Sequence, residues 1–127
     1  MFSVLIGNAD MHLKNWSLLY PDRRTPMLSP AYDFVATLPY IPNDTLALSF
    51  GRSRNITEIT TDQVRRFADT ARLPASPLWP IVTETAERTV GAWETLDEKK
   101  LMPEDMRQAI GEQIMTVAKS IRQAVTK

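Results

Sequence analysis

The sequence predicts a mainly α-helical domain that carries one small β-hairpin. Helices are indicated by apolar residues that recur at spacings of three or four, most regularly between positions 106 and 125. The hairpin is indicated by two short apolar runs on either side of the turn-forming segment 21–26. With 127 residues, of which 43% are hydrophobic and 24% charged, the chain has the composition of one globular domain with a modest core.

The elements nearest the N-terminus are expected to be short. Met1–Gly7 is apolar and offers no N-cap residue, so it predicts the last turns of a buried helix. Trp16–Tyr20 predicts a short strand, and Met27 and Leu28 predict the arm that pairs back with it across the turn.

The middle of the chain is expected to be less regular. Thr37–Asp44 contains two prolines, so it predicts an exposed loop. Leu46–Phe50 predicts another short strand that ends at Gly51.

Three helices are predicted after residue 60. The first is capped by Thr61-Asp62-Gln63, and its apolar positions are Val64, Phe67, Ala68 and Ala71. The second begins with Ser76 as N-cap and Pro77 at its first position, and its apolar face comprises Ile81, Val82, Ala86, Val90 and Trp93. The third begins near Pro103, and its apolar positions are Met106, Ile110, Ile114, Val117, Ile121 and Val125.

Charge and composition narrow the function classes. Fifteen basic and fifteen acidic residues cancel, so the net charge favours neither direct nucleic-acid binding nor an anionic membrane surface. The absence of cysteine excludes disulfides, thiolate metal sites and cysteine nucleophiles. Met1–Gly7 is too short to span a membrane and lacks the pattern of a signal peptide, so we expect a cytoplasmic location.

The candidate functional residues are Asp10, Asn15 and Asp33. An acid, an amide five positions later and a second acid beyond a hairpin have the layout of a phosphoryl-transfer site. A loop that enters a hairpin can place the first two on one side, and the return strand can bring Asp33 beside them. Asn15 and Asp33 would hold Mg²⁺ against ATP phosphates, while Asp10 would orient and deprotonate the attacking hydroxyl.

His12 and Lys14 lie between the first two candidates, and either could offer positive charge to the transferring phosphate. Each candidate also has a plainer interpretation. Asp and Asn both favour turns, and an Asp–Asn pair at this spacing also arises by chance. A lone histidine is commonly a structural hydrogen-bonding residue, and a lysine is commonly a solvated charge. Tyr32 and Phe34 are then packing residues that fix the intervening aspartate.

Two longer stretches resemble a known family. Residues 5–19, Leu-Ile-Gly-Asn-Ala-Asp-Met-His-Leu-Lys-Asn-Trp-Ser-Leu-Leu, and residues 28–34, Leu-Ser-Pro-Ala-Tyr-Asp-Phe, are similar to the C-terminal half of HipA-like serine/threonine kinase toxins. The resemblance is densest over residues 4–40. It implies a divergent protein-kinase fold, with Asp10 as catalytic base, and with the amide and the second acid as Mg²⁺ ligands.

The sequence departs from ordinary protein kinases in several places. Ala9 stands where they have the Arg of His-Arg-Asp, and Val35 stands where they have the Gly after Asp-Phe. These 127 residues contain neither a Gly-rich loop nor a lysine-bearing strand for the phosphates. The resemblance therefore implies that residues 1–127 form a C-terminal lobe without its N-terminal lobe. Phosphoryl transfer depends mostly on positioning, so we expect the isolated chain to be inactive.

Three interpretations stay open at this point. The chain is the catalytic lobe of a kinase that works with an N-terminal lobe, or an inactive remnant that binds an antitoxin or a kinase relative. The third interpretation is a generic helical domain whose motif matches are accidental. The resemblance implies a HipB-like antitoxin and a protein substrate as partners, without direct nucleic-acid or membrane contact. The apolar start of the chain also favours self-association or docking of a separate N-terminal lobe.

Overall fold

The computed structural model describes residues 1–125, apart from the side chain of Val125. It is mainly helical with one two-stranded antiparallel sheet, so the predicted fold class is confirmed. The elements are α1 (Phe2–Ile6), β1 (Leu18–Leu19), β2 (Met27–Leu28), α2 (Thr61–Ala71), α3 (Leu78–Thr95) and α4 (Glu104–Val125), with 3₁₀ turns at Leu13–Asn15 and Asp97–Leu101.

Helix α1 anchors the start of the chain in the core, as predicted. Leu5 is fully buried and Val4 nearly so, and the helix packs against α4 and α3. It ends where Gly7 adopts a φ of 76°, a left-handed conformation that glycine reaches without strain from a Cβ atom. The buried Gln113 of α4 donates its Nε2 proton to the carbonyl of Val4 at 2.9 Å. The first and the last helix of the described chain are therefore joined by a buried hydrogen bond.

The hairpin forms as predicted but is shorter. Its two strands pair antiparallel, with Leu18 opposite Leu28 and Leu19 opposite Met27. All four strand side chains are exposed. The hairpin therefore stands at the surface instead of completing the core.

The segment between β2 and α2 forms neither a helix nor a paired strand. Its first part is irregular, as expected, but the strand predicted over Leu46–Phe50 is wrong. The N–H of Leu46 donates to the carbonyl of Arg54 at 3.0 Å, whereas the next N–H donates to the carbonyl of Ala9 at 2.8 Å. Because successive residues bond to different segments, no strand ladder forms.

Helix α2 is capped by Thr60, one residue before the predicted cap. The Gln63 N–H donates to the Thr60 hydroxyl at 3.2 Å, and the Thr60 N–H donates to Gln63 Oε1 at 2.8 Å. This reciprocal pair is a capping box. Val64 and Ala68 are buried, whereas Phe67 stacks on Phe50 with ring centroids 5.0 Å apart.

Helices α3 and α4 form the main pair of the core. The predicted apolar positions of α4 that are buried are Ile110, Ile114, Val117 and Ile121. Helix α3 begins at Leu78 after Pro77, without the predicted side-chain cap from Ser76. Ile81 is exposed, contrary to prediction, because it lies roughly 100° around the helix from Val82, away from the buried positions that follow.

Of the two other apolar positions predicted for α4, Met106 is half-buried, and Val125 lies outside the side chains that the structure describes. No helix within residues 1–125 is long and apolar enough to cross a membrane.

Candidate functional site

The loop that follows α1 carries Asp10 to the surface. The backbone of this loop is held by the Ala9 N–H, which donates to the Thr37 hydroxyl at 2.9 Å, and by the Ala9 carbonyl, which accepts from the Ala47 N–H. Ala9 itself is buried, whereas the Asp10 side chain is 72% exposed. The sequence thus places a solvent-facing carboxylate directly after a buried residue whose backbone is hydrogen-bonded on both sides.

The 3₁₀ turn after His12 positions Asn15. Its N–H donates to the His12 carbonyl at 3.1 Å, and its side chain is half-buried. His12 Nε2 lies 4.0 Å from Asp10 Oδ1, and His12 Nδ1 is buried without a hydrogen-bond partner. Lys14 is exposed. Both basic candidates therefore lie in the loop that carries Asp10.

The segment after β2 brings Asp33 back beside that turn. The Tyr32 hydroxyl donates to the Lys14 carbonyl at 3.1 Å and lies 2.6 Å from the Ser17 hydroxyl. Phe34 packs edge-on against Phe2, with ring centroids 5.1 Å apart. The two aromatic neighbours of Asp33 therefore pin its segment on both sides, which agrees with their interpretation as packing residues.

Asn15 and Asp33 line one cavity of about 150 Å³. Its wall also includes Met11, Trp16 and Phe34. Among the described residues, Asp10, His12 and Lys14 do not line this cavity. A larger cavity, of about 650 Å³, lies between the segment at residues 42–45 and α4, and contains none of the five candidate residues.

A buried asparagine connects the loop of Asp10 to Asp33. Asn8 is 1% exposed, and its Oδ1 accepts from the Asp10 N–H at 3.1 Å. Its Nδ2 donates to the Asp33 carbonyl at 3.3 Å. Both acids are among the site residues predicted from the sequence, whereas Asn8 is not. The available signal was a polar side chain directly after the glycine that ends a buried helix, where an amide must find partners.

The donor set at the cavity suits a hard cation. Asn15 offers an amide oxygen and Asp33 a carboxylate, and oxygen ligands of this kind fit Mg²⁺ when nucleotide phosphates and water supply the rest of its shell. No group of three or more His, Cys, Asp or Glu side chains that could hold a metal occurs within residues 1–125.

A family model described as HipA-like C-terminal domain matches residues 1–93. This chain belongs to that family. The resemblance inferred from the two motif stretches is therefore confirmed. The match covers the chain from α1 through most of α3.

Curated relatives of this HipA-like domain carry kinase names. Y4dM of Sinorhizobium fredii (strain NBRC 101917 / NGR234), named as a candidate kinase, is 50% identical over 104 residues, which are 81% of this chain and 25% of that protein. A protein of Haemophilus influenzae (strain ATCC 51907 / DSM 11121 / KW20 / Rd), also named as a candidate kinase, is 48% identical over 48 residues, 36% of this chain and 14% of that protein. The HipA-like domain thus spans about a quarter of the length of Y4dM.

One solved structure supports the fold. It is described as the toxin–antitoxin system HipA, HipB and operator DNA complex of Shewanella oneidensis MR-1. The match has a TM-score of 0.71 at 24% sequence identity, and it covers 98% of this chain and 29% of the solved chain. The HipA-like domain therefore has the fold of part of a HipA protein, as predicted, while the roles of its site residues stay predictions.

Proposed function

We propose that this chain is the C-terminal catalytic lobe of a HipA-like serine/threonine protein kinase. Combined with an N-terminal lobe, it would transfer a phosphoryl group from ATP to the hydroxyl of a protein substrate. The observation that carries the proposal is that Asn15 and Asp33 line one cavity while a single buried side chain, Asn8, binds the backbones of Asp10 and Asp33.

Asn15 and Asp33 are the proposed Mg²⁺ ligands. Bound Mg²⁺ would neutralise charge on the ATP phosphates during transfer. The contribution of the chain is to keep an amide oxygen and a carboxylate at one cavity wall. The Tyr32 contacts with Lys14 and Ser17 serve this purpose, because they hold the Asp33 segment against the turn of Asn15.

Asp10 is the proposed base. Its exposed carboxylate can reach a substrate hydroxyl, orient it and accept its proton as the oxygen attacks the phosphorus. His12 and Lys14, from the same loop, would place positive charge near the transferring phosphate.

The partners and location belong to the same proposal. The solved HipA relative is described in complex with HipB and operator DNA. For this chain, we propose a HipB-like antitoxin and a protein substrate as partners, without direct nucleic-acid contact, and a cytoplasmic location. Residues 1–127 would form one lobe of the assembled kinase.

A second candidate function is a non-catalytic module that binds an antitoxin or a kinase relative. The observation that favours it is apolar exposure around the cavity, where Trp16 and Leu28 are each about half exposed. Such side chains are typical of a surface that a partner covers.

The deciding experiment adds an N-terminal kinase lobe to the purified chain and measures phosphate transfer from radiolabelled ATP. We expect Asp10→Asn to lower turnover by roughly 10²–10⁴-fold, the usual contribution of a positioned base. Glu58→Gln is the control, because it removes one exposed carboxylate outside the site. The chain alone should show little turnover.

The outcomes separate the two functions. Full activity of Asp10→Asn would remove this residue as the base. No turnover by the wild-type assembly, together with binding of a HipB-like antitoxin, would favour the non-catalytic module.

A further inference from the structure

We infer that Asn8 is a positioning residue that fixes Asp33 relative to the loop of Asp10. This inference rests on the proposed function, since the position of Asp33 matters only if its carboxylate binds a metal. Asn8 does not line the cavity, so it would act through its hydrogen bonds and not through contact with a ligand.

The contacts of Asn8 allow only one orientation of its amide. The Asp10 N–H is a donor and requires Oδ1 opposite it, at 3.1 Å. The Asp33 carbonyl is an acceptor and requires Nδ2 opposite it, at 3.3 Å. A flipped amide would set donor against donor and acceptor against acceptor. The side chain therefore hydrogen-bonds to both backbone segments at once, which an apolar residue of the same size could not do.

The backbone of Asp33 needs such a support. Its φ is 60°, in the left-handed region that residues with a Cβ atom rarely adopt. The direction of its carboxylate depends on this conformation, because a change of φ would rotate the side chain relative to the cavity that it lines with Asn15. Capture of the Asp33 carbonyl by the Asn8 amide opposes that change.

A second side chain joins the same two segments. The Thr37 hydroxyl accepts from the Ala9 N–H at 2.9 Å and donates to the Gly7 carbonyl at 3.2 Å. The loop at residues 7–10 and the segment at residues 33–37 are thus tied at two places. We expect the two segments to move as one unit, which would keep Asp10 and Asp33 at a constant position relative to each other.

The test measures binding of Mn²⁺ with ATP to the chain together with an added N-terminal lobe, through paramagnetic broadening of the Asn15 and Asp33 amide NMR signals. Asn8→Ala should weaken this binding roughly tenfold or more, as loss of an outer-shell partner commonly does. Gln113→Ala is the matched control. It also removes a buried amide that donates to two carbonyls, at 2.9 and 2.7 Å, but it lies away from the cavity.

The two variants separate positioning from stability. We expect both to lower the melting temperature, whereas only Asn8→Ala should weaken Mn²⁺ binding. Equal weakening by both variants, or no weakening by Asn8→Ala, would overturn the inference while leaving the proposed function intact. Absence of broadening in the wild type, or its persistence in Asp33→Asn, would overturn the proposed function and the inference with it.

If Asn8→Ala does not fold, the Thr37 pair decides. Thr37→Val keeps the shape but removes the hydroxyl, and Thr37→Ser keeps the hydroxyl. We expect weaker Mn²⁺ binding for Thr37→Val and recovery for Thr37→Ser. Equal binding by these two variants would overturn the inference.

Discussion

Asp22 is an exposed residue whose ionisation organises the hairpin turn. Its Oδ1 accepts from the N–H groups of Arg24 and Thr25 at 2.9 and 2.7 Å, and its Oδ2 accepts from the Thr25 hydroxyl at 2.6 Å. The Thr25 hydroxyl and these backbone N–H groups lower the pKa of Asp22 from 3.8 to about 2. The charged form is therefore the one that the folded turn prefers.

This preference predicts a pH-dependent hairpin. Because the folded pKa is depressed, the stabilisation by Asp22 is present above pH 3.8 and is lost as the pH falls through about 2. We expect the amide NMR shifts of Arg24 and Thr25 to change over that window. In Asp22→Asn they should not titrate. A midpoint near the ordinary value of 3.8 would contradict the prediction.

At the residue scale, local spacing sufficed for part of the site. Asp10 and Asn15 are close in sequence, so their shared loop was predictable. The role of Asn8 was not, because its bond to the Asp33 carbonyl joins residues 25 positions apart. The Thr37 bond to Ala9 spans 28 positions. Such partners follow from the tertiary fold and leave no periodic pattern in the sequence.

At the element scale, the cap of α2 offers a direct comparison. Thr60 and Thr61 are adjacent, but only the Thr60 hydroxyl accepts the Gln63 N–H. We expect Thr60→Ala to lower the free energy of unfolding by about 1 kcal/mol, and Thr61→Ala to change it by only a few tenths. Urea denaturation followed by circular dichroism measures both. An equal loss of stability in the two variants would contradict the assignment of Thr60 as the N-cap.

The helices were predictable because their signal is local. The spacing of three or four in α4 identifies its buried face directly. The strand predicted at Leu46–Phe50 is wrong because a strand needs a neighbouring strand to pair with, and the sequence of one segment does not show whether such a partner lies beside it. The predicted burial of Ile81 is wrong for a related reason. Its apolarity suggested burial, but the direction of α3 against α4 decides which face is covered.

At the scale of the whole molecule, the hairpin is an element whose apolar side chains are all exposed. The side chains of β1 and β2 are between 45% and 56% exposed. A two-stranded sheet also has unpaired outer edges, which favour pairing with another chain. The isolated chain therefore combines a covered helical core with an uncovered β element.

We expect this surface to drive self-association of the isolated chain. Sedimentation velocity should show a coefficient that rises with concentration, and Leu28→Lys should reduce the rise. Leu101→Lys is the control, because Leu101 is 86% exposed but belongs to a different element. An added N-terminal lobe should also suppress the rise. A wild-type chain that stays monomeric at every concentration would contradict the prediction.

The contact between α1 and α4 has a consequence for biosynthesis. Gln113 and Val4, which it joins, are separated by 109 residues. At about 5–20 residues per second, the ribosome needs on the order of ten seconds to make the intervening chain. During that time α1 is synthesised without the helix that packs against it. A nascent chain thus presents the apolar side chains of α1 to chaperones and proteases until α4 has been made.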